Sequence, residues 1–195
     1  MKAIWNFSAK YGIIYGLIFI IYTLLVYITG PENLVSLWQG IVYFIITIGL
    51  FFFSAWRFKK EYPEEATFFK IFLANFLVFV NSGLITLLFN ILFYHVIVPE
   101  LPGYITDLTI EKTRSMMERF GAPEDKIEKA IKRVEENTDF SIVGMSKSYL
   151  WGWIFGAIIA LITAAVFRKK ENREDENSKD KQNEETVSEQ NFGNE

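Results

Sequence analysis

The chain contains no cysteine and a single histidine, His95, among its 195 residues. The absence of cysteine excludes disulfides, thiolate metal ligands and cysteine nucleophiles. One imidazole cannot form a multi-histidine metal centre. The motifs of phosphate-binding loops, zinc proteases and serine hydrolases are also missing. The sequence therefore predicts no catalytic residue, no metal site, no cofactor and no enzymatic activity.

Charge is missing from four long stretches, residues 11–29, 34–56, 71–98 and 149–167, so all 20 basic and 23 acidic residues lie elsewhere. A helix of about 20 residues crosses the ~30 Å hydrocarbon core of a membrane. A soluble helix would keep a polar face, and a net charge of −3 does not suit a nucleic-acid binder. The sequence predicts an all-α membrane protein with four transmembrane helices that contacts the lipid bilayer and binds no nucleic acid.

Helix-breaking residues separate the four spans. Gly30 and Pro31 predict a tight turn between spans one and two. Pro63 is expected in the first turn of the helix that becomes span three, while Pro99 and Pro102 are expected to end that helix. The chain therefore has short connections everywhere except between spans three and four.

Basic residues next to the spans concentrate at one end of the predicted bundle. They precede span one, connect spans two and three, and follow span four, whereas the turn at 30–33 has none; they include Lys2, Lys10, Arg57, Lys59, Lys60, Lys70, Arg168, Lys169, Lys170 and Arg173. Such residues favour the cytoplasmic side of a membrane. The sequence predicts both termini in the cytoplasm and residues 99–148 on the opposite side.

The segment between spans three and four predicts an extracytoplasmic helical hairpin over 104–139. Asp107 is the expected N-cap of its first helix, Gly121 the stop after Phe120, and Pro123 the start of its second helix. The second helix has one apolar face, formed by Ile127, Ala130, Ile131 and Val134. We interpret this hairpin as a small structured cap rather than a ligand-binding domain.

The chain divides into two parts that differ in composition. Residues 1–170 are predicted to form one transmembrane domain that includes the hairpin. Residues 171–195 are rich in charged and amide side chains and predict a disordered cytoplasmic tail. We interpret the basic run at 168–170 as a stop-transfer anchor, with anionic lipid binding as the alternative.

Small residues recur at four-residue spacing in two spans. Span one carries Gly12 and Gly16, and span four carries Gly152, Gly156 and Ala160. This spacing lets helix backbones approach closely. It fits either an oligomer interface or packing inside one bundle, and we favour the second interpretation.

Span three carries most of the polar residues. Asn75, Ser82, Thr86 and Asn90 fall within a ~80° arc at ~100° per residue, which predicts a polar seam along one side of the helix. The seam could bind a small solute or a lipid headgroup, or form hydrogen bonds between helices. We favour hydrogen bonding because no ionisable residue joins the seam.

Three segments resemble one family of small bacterial membrane proteins, the domain of unknown function 4199. They are KYGIIYGLI at 10–18, MMERFGAPEDKIE at 116–128 and FGAIIALITAAVFRKK at 155–170. The resemblance covers about residues 8–170 as three spans, a helical insert and a fourth span. It implies a bacterial cytoplasmic (inner) membrane protein and supplies no reaction, substrate or functional residue.

The leading functional hypothesis is a non-enzymatic accessory or interaction protein of the cell envelope. Its hairpin and tail would contact a membrane protein partner or a second copy of the chain. The alternative is a small transporter or lipid-handling protein that uses the polar seam of span three. A membrane-embedded enzyme acting through 61–65 or His95 is the weakest possibility, because those groups lack catalytic neighbours.

Overall fold

The computed structural model describes residues 1–168. Within that part the chain forms six α-helices and no β-strand. Four helices are long and apolar, with mean hydropathies of 1.8 to 2.2; they are α1 (Lys2–Thr29), α2 (Leu37–Glu61), α3 (Phe68–Leu92) and α6 (Ile142–Phe167). The shorter helices α4 (Leu101–Arg119) and α5 (Glu124–Asn137) form a hairpin between α3 and α6. The chain is therefore an all-helical, multi-pass membrane protein.

The long helices extend beyond the uncharged stretches that predicted them. Helix α1 begins at Lys2 rather than at residue 11, and α6 begins at Ile142 rather than at residue 149. Lipid can surround only the uncharged part of a helix. The helix itself can continue into charged residues, because its backbone hydrogen bonds do not depend on the side chains. The predicted tail, residues 171–195, lies outside the described residues.

The start of α3 differs from the prediction. Pro63 lies in a separate 3-10 turn, Pro63–Glu65, and not in the first turn of α3. Ala66 is buried in the core, and the Thr67 hydroxyl accepts a hydrogen bond from the Lys70 amide at 3.4 Å. Helix α3 starts after Thr67 because this side chain caps it.

The start of α4 corrects two further predictions. Helix α4 begins at Leu101, so Asp107 lies inside the helix and is not its N-cap. Pro102 occupies the first turn of α4, where no backbone donor is needed, and does not end span three. Helix α3 instead continues as a π-helical turn, Phe93–Ile97. Gly121 does end α4, with a φ of 67° that favours glycine.

The bundle core lies at its amino-terminal end, where α1 and α3 begin and α2 and α6 end. Buried side chains from all four long helices meet there, including Phe7, Phe58, Ile71, Ala74 and Ala164. Both α1 and α6 pack along α3, which therefore occupies the centre of the bundle.

The opposite end, here called the hairpin end, holds a second core. Phe93, Leu101 and Ile105 are buried together, with Tyr27 of α1 packed against them. Helix α5 is fixed to α4 by the buried Ile127 and by an ion pair between Arg114 and Glu124, N···O 2.9 Å. The hairpin is therefore seated on the bundle through α4.

Candidate functional site

A cavity of about 720 Å³ lies between α2, α3 and α6, in the half of the bundle nearer the hairpin. Its walls are mainly apolar, and the loop at 137–140 closes it toward the hairpin. Helices α2 and α6 meet at the amino-terminal end, where the Phe52 and Phe167 rings lie 6.0 Å apart. The cavity lies between the same two helices on the hairpin side of that contact.

Part of the cavity lining reaches the surface that lipid would cover. Two of its lining residues, Phe44 of α2 and Phe155 of α6, are 56% and 69% exposed. Both lie within long apolar helices, away from the helix ends. The cavity wall therefore includes side chains on the apolar outer surface of the bundle.

The structure divides the predicted polar seam into two parts. Ser82, Thr86 and Asn90 line the cavity. Asn75 lies deeper, where its amide donates to Thr163 Oγ1 of α6 at 2.9 Å and to the Phe51 carbonyl of α2 at 3.3 Å. Asn75 thus connects three helices, as the hydrogen-bonding interpretation expects, while the other three seam residues face open space.

Asn90 is the seam residue that lines the cavity and whose side-chain oxygen lacks a partner. Ser82 and Thr86 donate their hydroxyls to carbonyls of their own helix, each at 2.9 Å. The buried Asn90 Oδ1 has no hydrogen-bond partner within residues 1–168. A ligand that donates a hydrogen bond would satisfy this oxygen, and a buried acceptor left unpaired is costly.

One carboxylate lies at the hairpin end of the cavity. Asp139 accepts a hydrogen bond from the Ser141 amide at 2.9 Å. Hydrogen bonds from the Ser141 hydroxyl and amide lower the pKa of Asp139, so it stays ionised at neutral pH. Among the lining residues that the structure describes, none is a lysine or arginine. The site therefore favours uncharged or cationic groups over anionic ones.

The predicted small residues lie mostly inside the bundle and contact α3. A Cβ added at Gly12 would lie 2.5 Å from Asn81 Cβ, and one added at Gly16 would lie 2.9 Å from Ile85 Cβ. Gly156 packs against the Phe79 ring, and Ala160 is fully buried. These contacts occur within one chain.

Gly152 differs from the other small residues. It lines the cavity, and an added Cβ would meet no atom within 4 Å.

Gly83 of α3, which periodicity did not single out, packs against the Tyr149 ring of α6. The Tyr149 hydroxyl donates to the Val80 carbonyl at 2.5 Å, which fixes that ring at the cavity wall.

Sequence reasoning missed a polar cluster at the amino-terminal end. The Tyr11 hydroxyl donates to Glu61 Oε1 at 2.6 Å and accepts from Arg57 Nε at 2.9 Å. Arg57 also pairs with Glu61 at 2.7 Å. Glu61 is the last residue of α2 and joins α2 to α1. The i,i+4 spacing of Arg57 and Glu61 was the available signal.

His95, the only histidine, is not part of the cavity. Its ring is exposed, and Nδ1 lies 3.1 Å from the Ile91 carbonyl of the preceding helical turn. Residues 1–168 contain no group of three or more histidine, aspartate or glutamate side chains placed to hold a metal ion.

We compared the chain with curated proteins, solved structures and protein families. No curated protein and no solved structure shows detectable similarity to the chain. The family described as "Protein of unknown function (DUF4199)" matches residues 10–169, which include all four long apolar helices and the hairpin. The chain belongs to this family.

Proposed function

We propose that the protein binds a membrane amphiphile in the cavity between α2, α3 and α6. The observation that carries this proposal is an apolar chamber whose lining includes Phe44 and Phe155, two exposed side chains on the long apolar helices. A volume of about 720 Å³ lies within the range of roughly 300–1,000 Å³ that is usual for small-molecule sites. An acyl chain can enter such a chamber from the lipid without crossing water.

The polar groups support a particular kind of headgroup. Asn90 Oδ1 accepts hydrogen bonds, and Asp139 attracts donors and cations. An anionic head in the cavity would meet Asp139 directly, whereas Lys147, the cation close to Asp139, does not line the cavity. The preferred ligand is therefore an amphiphile with a hydroxyl or ammonium head, placed at the hairpin end of the cavity.

The membrane and orientation form part of this proposal. The protein lies in a bacterial cytoplasmic membrane, with both termini in the cytoplasm and the hairpin on the other side. Support comes from the basic residues at the amino-terminal end of the bundle, where Lys10, Arg57 and Arg168 lie. The ligand would then enter from lipid and place its head near the outer surface.

Filling the cavity tests the proposal. Gly152→Leu adds a side chain at a residue that lines the chamber, and its Cβ would meet no atom within 4 Å. Gly49→Leu adds the same bulk to α2 outside the cavity, where a Cβ also has nothing within 4 Å. The probe is a monoacylglycerol with a photoreactive acyl chain, added to the full chain in lipid nanodiscs. We expect Gly152→Leu to reduce crosslinking at least about tenfold, equivalent to ~1.4 kcal/mol of binding free energy.

The control should crosslink as the native chain does. Both variants should keep the native melting temperature, so that reduced labelling reports a filled site. A photoreactive alkyl phosphate should label the native cavity less than the monoacylglycerol does. Equal labelling of Gly152→Leu and the native chain would refute the proposal.

An interaction protein of the cell envelope remains a second candidate function. Phe120 at the tip of the hairpin is 84% exposed, and Met116, one turn earlier, is also exposed. Exposed aromatic side chains are common anchors of protein interfaces. A partner contact at this tip and an amphiphile in the cavity are compatible, because the two sites use different residues. Like the absence of enzymatic activity, this role stays a prediction.

A further inference from the structure

A second, much smaller cavity lies beneath the large one. Its volume is about 10 Å³, and Tyr15 of α1, Ser54 of α2 and Asn75 of α3 contribute to its wall. Phe19, Thr47, Phe79 and Ser82 line both cavities, so the small one is continuous with the floor of the large one. A cavity of this size has room for one water molecule.

Three buried polar atoms at this cavity lack partners. Tyr15 Oη, Ser54 Oγ and Asn75 Oδ1 make no hydrogen bond of good geometry within the part of the chain that the structure describes, although the Tyr15 and Ser54 hydroxyls lie close to each other. The three residues are only 5%, 1% and 1% exposed. Bulk solvent therefore does not reach these atoms, and each would carry a desolvation penalty if the cavity were empty.

The chemistry of the three groups suits a water molecule. The Asn75 amide nitrogen already donates to Thr163 and Phe51, so its oxygen can only accept. The tyrosine and serine hydroxyls each donate and accept. A water molecule that donates to Asn75 Oδ1 and exchanges hydrogen bonds with both hydroxyls would have the usual two to four partners of a buried water.

We propose that Tyr15, Ser54 and Asn75 hold a buried water molecule that is part of the folded bundle. This water connects α1, α2 and α3 beside the hydrogen bond from the Asn75 amide to the Phe51 carbonyl, and it brings the Tyr15 hydroxyl of α1 into that polar contact. It forms the polar floor of the large cavity. The proposal does not depend on any ligand in that cavity.

The Ser54→Ala substitution should change the melting temperature in opposite directions depending on whether the water is present. If the water is present, the substitution removes one of its hydrogen bonds and lowers the melting temperature. If the cavity is dry, it removes an unpaired buried hydroxyl and raises the melting temperature. Ser8→Ala is the matched control, because Ser8 is a fully buried serine whose hydroxyl donates to the Trp5 carbonyl at 3.1 Å. The full chain in nanodiscs serves for all three proteins.

We expect Ser54→Ala to lower the melting temperature about as much as Ser8→Ala does. An unchanged or raised melting temperature would overturn the proposal.

A second measurement uses the unsubstituted chain, so it does not depend on a variant that folds. A short pulse of X-rays converts bound water to hydroxyl radicals, and mass spectrometry then locates the oxidised side chains.

Tyr15 should be oxidised several-fold more than Phe7, after correction for intrinsic reactivity. Phe7 is equally shielded from solvent, but it lines neither cavity. Ser54→Val, which fills the space, should abolish the oxidation of Tyr15. Protection of Tyr15 equal to that of Phe7 in the native chain would mean that the cavity is dry.

Discussion

At the scale of single residues, glycine sets how closely α1 approaches α3. Leucine at position 16 would place its Cβ 2.9 Å from Ile85 Cβ, inside a packed interface. We expect Gly16→Leu to destabilise the fold by about 1–3 kcal/mol or more, because overpacking forces helices apart. Thermal unfolding in nanodiscs measures the loss, and Gly49→Leu, with open space around it, should show none.

The same variant separates the two interpretations of the small-residue spacing. A role in an oligomer interface would leave the melting of the single chain unchanged and alter only the mass of the assembly. A role in the bundle would reduce the melting temperature at any protein concentration. The contacts of Gly12 and Gly16 with Asn81 and Ile85 of the same chain support the second result.

The polar seam illustrates what periodicity can predict about individual residues. The helical period placed Asn75 and Asn90 on one side of α3; Asn75 bonds to α2 and α6, and Asn90 lines the cavity between them. It could not predict that Asn75 would bond to Thr163 while Asn90 would face a cavity. That difference depends on the distance between α2 and α6 at each level, which the sequence of α3 does not contain.

At the scale of elements, helices were easier to predict than their ends. Uncharged length identified the four long helices, since lipid tolerates little else. Caps depend on local competition, so Thr67 rather than Pro63 begins α3, and Pro102 rather than Asp107 marks the start of α4. The contact of Tyr11 with Arg57 and Glu61 was also beyond reach, because it joins residues of two different helices.

The exposed tip of the α4–α5 hairpin can be tested as a contact surface for a protein partner. If its tip contacts a partner in the cell envelope, a photocrosslinking amino acid at position 120 should capture a protein in native membranes. The same amino acid at Lys132, exposed on α5 away from the tip, should capture none. Capture from both positions or from neither would remove the tip as a specific contact surface.

At the scale of the whole molecule, the cavity results from unequal packing of the long helices. Polar clusters and aromatic contacts hold α2 to α1, α3 and α6 at the amino-terminal end, through Glu61, Asn75 and Phe167. Nearer the hairpin, α2 contacts α1, where the Tyr22 hydroxyl donates a hydrogen bond to Gln39 Oε1 at 2.8 Å. The space left between α2 and α6 is therefore a property of the assembled bundle, and no single segment predicts it.

Orientation in the membrane is the last property of the whole molecule, and the lack of cysteine makes it directly measurable. Lys59→Cys lies at the amino-terminal end of the bundle and Lys126→Cys lies on the hairpin, both at exposed positions. In spheroplasts, a membrane-impermeant maleimide should label Lys126→Cys and leave Lys59→Cys unlabelled, because basic residues stay in the cytoplasm. Both should react after detergent is added. The reverse pattern would place the hairpin in the cytoplasm, and the proposed headgroup site with it.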